Sequence, residues 1–241
     1  MIRLQRVPAP RKTEVLLDRW TARVQAAGAS SEAARAEWKK AKAPRRHVKA
    51  LLDLMAHGAM RCMFCDDSLG TDIDHFQPLD CAPLRAFVWV NHVLACGWCN
   101  SGNKQGRYPL AADGTCLLID PTAEEPADHL TLRLTSCLYE GRTDKGRKSI
   151  EVFGLNRSDL VEGRVRAFAN ACVWLEGWHK RHVDGDPSAD NKARALLDSP
   201  FVDVVYAMTR LDPDIADVVI EQRTLPALAH WRSVYGTALA L

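Results

Sequence analysis

Apolar positions recur at helical spacing in three stretches before residue 58. Thr13 stands as an N-cap for TEVLLDRWTARVQAAG, and Gly28 follows as a stop. Ser30 or Ser31 caps SSEAARAEWKKAKA, which closes before Pro44 because the residue preceding a proline resists helical backbone angles. RRHVKALLDLMAHG predicts a third helix with Val48, Leu51, Leu52 and Met55 on one apolar face and Gly58 at its end. From Arg61 to about Tyr108 the pattern shortens, punctuated by Gly, Pro, Asp and Asn; TDIDHF and AFVWV are β-compatible there. Residues 110–150 are loop-rich, with a short strand expected at CLLID and stopped by Pro121. From Ile150 helical spacing returns. Ser158 or Asn156 caps SDLVEGRVRAFANACVWLEGWHKRH, in which Val165, Phe168, Cys172 and Leu175 make a core stripe. DGDP (184–187) is a turn, and two or three further helices are expected after it.

The pattern divides the chain into a helical N-terminal region, 1–58, a cysteine-rich centre, 59–120, and a mainly helical C-terminal region, 121–241. At 241 residues, 47% hydrophobic and 26% charged, it is long enough for a sizeable core without covalent staples and too apolar to be largely disordered. No apolar run approaches a membrane span, and MIRLQRVPAPRK carries no apolar stretch behind its positive charge, so a cytoplasmic protein is expected. The net charge of +2 hides an asymmetry: residues 1–50 hold 13 Lys/Arg against 4 Asp/Glu, and residues 51–241 hold 19 against 26. Three roles compete for these basic helices: tracking duplex phosphates, docking on an acidic partner through Trp20 and Trp38, or plain solvation.

Cysteine changes the picture most. Cys62-x-x-Cys65 and Cys96-x-x-Cys99 each place two sulfurs where a tight turn can aim both at one ion, which suits a tetrahedral four-thiolate Zn²⁺. Disulfides and a thioredoxin-like redox pair are the competing readings, disfavoured by a reducing compartment and by the lack of a βαβ pattern. Such a zinc is structural, because four thiolates leave no position for water. Cys81, Cys116, Cys137 and Cys172 lack paired spacing and read as small apolar residues.

Between and beside the two pairs lie Asp74-His75 with Pro78, then Asn91, Asn100 immediately after Cys99, and Lys104. This order over about 45 residues resembles the HNH endonucleases. The resemblance implies an α+β, mostly α fold: a small zinc-stabilised ββα-metal core framed by N- and C-terminal helices. It implies His75 as general base for water attacking a DNA phosphodiester, and Asp74 and Asn100 as ligands of one catalytic Mg²⁺ or Mn²⁺. Asn91 would orient the loop or the histidine. Lys104 and His92 are candidate phosphate contacts. Asn100 stands where other members carry His, and the Asn100-to-Lys104 spacing is one longer than in the shorter family pattern, which leaves open whether Asn103 competes for the metal.

Further along, Gly106-Arg107-Tyr108-Pro109-Leu110, Leu118-Ile119-Asp120-Pro121 and Ile150-Glu151-Val152-Phe153-Gly154-Leu155-Asn156-Arg157 follow in an order similar to the HNH subunit of Septu anti-phage systems and related retron-associated proteins. That resemblance implies a defence effector working beside an ABC-type ATPase partner, which this chain lacks any Walker A motif to replace. A stand-alone restriction-type HNH nuclease and a non-catalytic zinc scaffold are the rival readings. Gly154–Arg157 reads locally as a turn and helix cap, Asp128-His129 as a surface turn, and Arg142, Lys145, Arg147 and Lys148 as solvated charge or a DNA contact.

Overall fold

Pro10, not Thr13, precedes the first helix, α1 (Arg11–Ala26), because its fixed φ of −58° leads the chain into the helix. Thr13 is instead buried, its hydroxyl 3.1 Å from His47 Nδ1. Gly28 follows α1 at φ +97°. Ser30 caps α2 (Ser31–Lys40), accepting from Ala33 N at 3.2 Å. Only Ala41 separates α2 from α3 (Lys42–Met55). Pro44 falls in the first turn of α3, where its missing N–H costs nothing, so the break comes earlier than expected. The helix ends at Met55, short of Gly58. That glycine, at φ +53°, serves a close approach instead: a Cβ there would lie 2.7 Å from the Asp198 carbonyl oxygen.

The computed structural model describes residues 1–236. Within it the centre holds one antiparallel pair, β1 (Asp72–His75) and β2 (His92–Ala95), with Asp74 opposite Val93 and His75 opposite His92. AFVWV does not form a strand. It coils into 3₁₀ turns at Pro83–Phe87 and Trp89–Asn91, started by Pro83, so the pairing begins only at His92. CLLID contributes no more than the single bridge Leu110 to Cys116. A hairpin the pattern did not announce, β3 (Leu130–Arg133) and β4 (Leu138–Gly141), is pinned by Asn156, whose amide exchanges two 2.8 Å hydrogen bonds with the Tyr139 backbone. That clamp diverts Asn156 from capping.

Thr143 caps α4 (Asp144–Phe153), accepting from Gly146 N at 3.1 Å, and Gly154 ends it at φ +60°. The long α5 (Ser158–Val183) has Arg157 at its N-cap, whose side chain makes no capping bond to the helix N–H groups. Its buried face is Leu160, Arg164, Ala171, Cys172, Leu175 and Trp178; Val165 is half exposed, so the stripe departs from the expected one at its start. Gly185 turns the chain at φ +67°, and α6 (Ala189–Leu197), α7 (Val202–Arg210), α8 (Pro213–Val219) and α9 (Leu225–Tyr235) follow, more helices than expected. The result is a mostly helical α+β fold with two small sheets. Among the described residues no helix is long and apolar enough to cross a membrane.

One cluster of buried side chains runs through all three regions. At its N-terminal end Trp20 and Trp38, from α1 and α2, lie 5.5 and 5.3 Å from the ring of Phe87, which is fully buried. Burying a phenylalanine is worth about 1.5–3 kcal/mol. The contact therefore holds α1 and α2 firmly against the segment leading into β2.

Candidate active site and metal centre

The two Cys-x-x-Cys turns come together. Cys62, Cys65, Cys96 and Cys99 are buried, unpaired by disulfides, and their sulfurs all lie within 4.8 Å of one another, Cys65 to Cys96 at 3.9 Å. A tetrahedron with Zn–S of about 2.3 Å has edges of about 3.8 Å, so the donor set fits a structural zinc. The first turn is closed by Asp66 N to Cys62 O and Cys62 N to Ser68 O, both 2.9 Å. In the second, Cys99 N points at Cys96 Sγ at 3.4 Å. The four sulfurs titrate as one group, each neighbour's proton pulling Cys65 and Cys96 down and pushing Cys62 and Cys99 up. Arg157 adds a positive charge, its Nη1 3.7 Å from Cys99 Sγ. The Gly154–Arg157 string is thus a turn whose last residue reaches the cysteine cluster.

The strand pair leaves the cluster carrying Asp72 and Asp74 on one face. Asp74 is buried and its Oδ2 accepts from Lys104 Nζ at 2.6 Å; the same ammonium donates to the His75 carbonyl at 2.7 Å. Burial pushes the Asp74 carboxyl up, and Lys104 opposes that rise. Lys104, expected to touch phosphate, is itself only 1% exposed, and its charge is spent inside the protein. It sits at the end of a π-helical turn, Trp98–Lys104, where an α-helix was expected; Gly102 N bonds to Gly97 O and Gln105 N to Asn100 O, each five residues back. Asn100, in the same turn, donates from Nδ2 to Asp72 Oδ2 at 3.1 Å. No protein donor holds Asp74 Oδ1 or Asn100 Oδ1 among the described residues, and both residues line one cavity. Two hard oxygen donors with room for water fit Mg²⁺, which keeps several waters and takes few protein ligands. Asn103 is turned away, donating to Trp98 O at 2.6 Å and packed against Gly154.

His75 and His92 face each other across the pair, rings 5.1 Å apart, and both Nε2 atoms lie 3.0 Å from the Ala86 carbonyl. A carbonyl oxygen can only accept, so each Nε2 carries the proton and each Nδ1 keeps its lone pair. Burial lowers His75 to about 4 and His92 to about 3, so both rings are neutral at pH 7. His92 is fully buried, stacked under Trp38 at 5.2 Å, and lines neither of the two cavities beside the site. His75 is half-buried, meets Trp38 edge-on at 4.5 Å, and lines the same cavity as Asp74 and Asn100. Asn91 clamps the connecting loop. Its Oδ1 accepts from Gln77 N at 2.8 Å, and its Nδ2 donates to Gln77 O and Arg85 O at 3.1 Å. The Arg85 bond holds the segment that presents Ala86.

The site opens into two adjoining cavities of about 430 and 610 Å³, which share Trp38, Lys39, Arg45, Ile73 and Asn100. Trp38, Asp72 and Arg157 were not singled out as site residues. Asp72 was readable as the same-face neighbour of Asp74, two residues away on a strand. Trp38 and Arg157 carry no local signal. His129 lies within a local network, 2.9 Å from Thr143 Oγ1 and 3.2 Å from Glu124. Lys145, Arg147 and Lys148 pair with Glu124, Asp144 and Glu151 respectively, and Arg142 donates to Ala127 O, so that basic group is spent locally.

No family model matches the chain, and no solved structure matches it. Two curated proteins are similar. Septu protein PtuB of Bacillus mycoides (strain KBAB4) is 26% identical over 149 residues, covering 49% of this chain and 50% of the relative. Septu protein PtuB of Bacillus thuringiensis is 27% identical over 115 residues, covering 46% of this chain and 42% of the relative. The chain thus spans about half the length of the curated relatives it matches, and its similarity points to Septu-type defence proteins.

Proposed function

We propose that the chain is an HNH-type endonuclease that hydrolyses DNA phosphodiester bonds with Mg²⁺ or Mn²⁺, and that it acts in anti-phage defence beside an ABC-type ATPase. One observation carries the chemical half: His75, oriented by the Ala86 carbonyl, shares a cavity with Asp74 and Asn100. The similarity to Septu protein PtuB supports the biological half.

His75 Nδ1 takes the proton of an attacking water, whose oxygen bonds to phosphorus as the bond to the leaving oxygen breaks. Its lowered pKa keeps it unprotonated and available, and the hydrogen bond to Ala86 fixes its aim. Asp74 and Asn100 would hold the divalent ion, which when bound supplies charge neutralisation for the phosphate and the leaving group. Asn91 fixes the loop behind Ala86, and Trp38 closes the hydrophobic side of the imidazole. The cysteine cluster pins the start of the Asn100 turn to the segment entering β1, so the groups on the two meet without loop mobility.

His75→Ala tests this. Zinc content and the circular dichroism spectrum should stay at wild-type values while Mg²⁺-dependent DNA cleavage falls by about 10²–10⁴-fold. Undiminished cleavage in a preparation free of other nucleases would overturn the assignment.

A further inference from the structure

The basic N-terminal helices meet the site along one line of residues. Lys42, Arg45, Arg46 and Lys49 stand at i, i+3, i+4 and i+7 on α3, a single helix face, and all four line the larger cavity with Lys39 of α2. The opposite face of the same helix buries Pro44, Val48, Leu52 and Met55 in the core. The helix cannot roll without exposing that face, so its cations are fixed toward the cavity. Asp72 and Asn100 form the facing wall, and Asp74 and His75 lie just beyond in the adjoining cavity.

Ion pairing separates these cations from their neighbours. Arg23 and Lys40 pair with Glu37 at 2.6 and 2.8 Å, and Arg35 pairs with Asp80 at 2.5 Å. Lys39, Lys42, Arg45 and Arg46 are exposed and have no carboxylate partner among the described residues; Lys49 alone is paired, to Asp53. Four unpaired cations held along one edge of a cleft form a field that acidic neighbours would have cancelled elsewhere. From Lys42 to Lys49 the helix rises about 10 Å. That covers about three nucleotides of one DNA strand at about 3.4 Å each.

We infer that the α2–α3 face, Lys39 with Lys42, Arg45, Arg46 and Lys49, is the phosphate-holding wall of the DNA cleft and guides one strand of a duplex past His75. This rests on the nuclease reading above and assigns the basic helices to substrate rather than to a partner protein. The wall makes contacts that carry no sequence information, so it sets affinity and register along the strand.

The test uses full-length chain, a labelled DNA duplex and no added divalent metal, with binding followed by anisotropy across a salt series. In the triple variant Lys42→Ala, Arg45→Ala, Arg46→Ala the slope of log K against log salt should flatten by about 2.7, that is about 0.9 for each lost phosphate contact. Affinity near 0.15 M salt should fall on the order of 10²-fold. A control variant with equal charge loss on exposed positions away from the cleft, Lys12→Ala, Arg19→Ala, Lys180→Ala, should keep the wild-type slope. A wild-type slope in the cleft variant overturns the wall, and so does an equal loss in both variants, which would report total charge alone. Binding is read without cleavage, so failure of the nuclease reading, seen as no metal-dependent cutting by the wild-type chain, is recorded separately.

Discussion

Replacing Lys104 with methionine separates an internal role for this lysine from a substrate-facing one. Its side chain is 1% exposed and that of Asp74 is 7% exposed, so neither charge has water to fall back on. Methionine fills most of the volume but leaves the Asp74 carboxylate unpaired and removes the donor to the His75 carbonyl. Removing one partner of a buried pair costs about 3–5 kcal/mol, because the other charge stays desolvated. In a chain of this size each kcal/mol moves Tm by about 2–4 °C, so Lys104→Met should melt roughly 6–20 °C below wild type. Thermal melting followed by circular dichroism, with zinc content matched, reads this directly. Adding Asp74→Leu should recover most of the loss, since no unpaired charge then remains. A lysine whose task was to touch phosphate would instead leave Tm in place and raise KM. Lys104→Met melting within about 2 °C of wild type, less than the shift of a single kcal/mol, would refute the buried-pair argument.

Other measurements follow from the same geometry. Cys99→Ser should lose zinc and melt well below wild type, and stripped wild-type chain should regain its Tm on zinc addition, while Cys172→Ser keeps its metal; retention of zinc by Cys99→Ser would count against the four-thiolate site. Asn91→Ala leaves the Gln77 and Arg85 backbone groups without their partner and should cost about 1–3 kcal/mol by urea unfolding, with cleavage reduced through a displaced Ala86. His57 places Nδ1 2.8 Å from Asp66 Oδ1 and Nε2 against the Leu197 carbonyl, two acceptors that favour its protonated form. Burial is the largest single influence and works against the charge, but the Asp66 hydrogen bond, the Asp66 charge and the Leu197 carbonyl together outweigh it and raise the pKa. The stability this contributes is complete below the unfolded value of about 6.5 and fades as pH climbs through the folded value. The Tm advantage of wild type over His57→Asn should therefore shrink toward alkaline pH; a gap that widened would reverse the sign.

What could be read in advance was what is local. A Cys-x-x-Cys turn needs only four residues to aim two sulfurs, so both halves of the cluster were visible, and their meeting followed from zinc stereochemistry. The placement of Asp74 and His75 on opposite sides of a strand needed only the twofold repeat. Hidden were the facts decided by tertiary packing. A lysine four residues past Asn100 looks like a surface cation in any pattern, and only the closure of the turn beneath β1 shows it buried. Trp38 reaches His75 across 37 positions because the 3₁₀ turn at Pro83–Phe87 gives α2 a surface to pack on. AFVWV has strand composition, yet a proline at the first turn and the approach of two tryptophans favour coiling. The β3–β4 hairpin stayed silent because four-residue strands with polar interruptions carry too little alternation, and an asparagine 17 positions away supplies the clamp.

The π-helical turn has a meaning in terms of chain length. Closing over five residues instead of four takes up one extra residue without lengthening the element or rotating its ends apart. Asn100 and Lys104, both within the turn, thereby remain beneath the same strand. The surplus is absorbed at Ser101 and Gly102, which face solvent. What the turn preserves is therefore a pair of end points, anchored by the cysteine cluster on one side and the buried ammonium on the other. The extra residue between them is taken up sideways, as a bulge, and displaces neither.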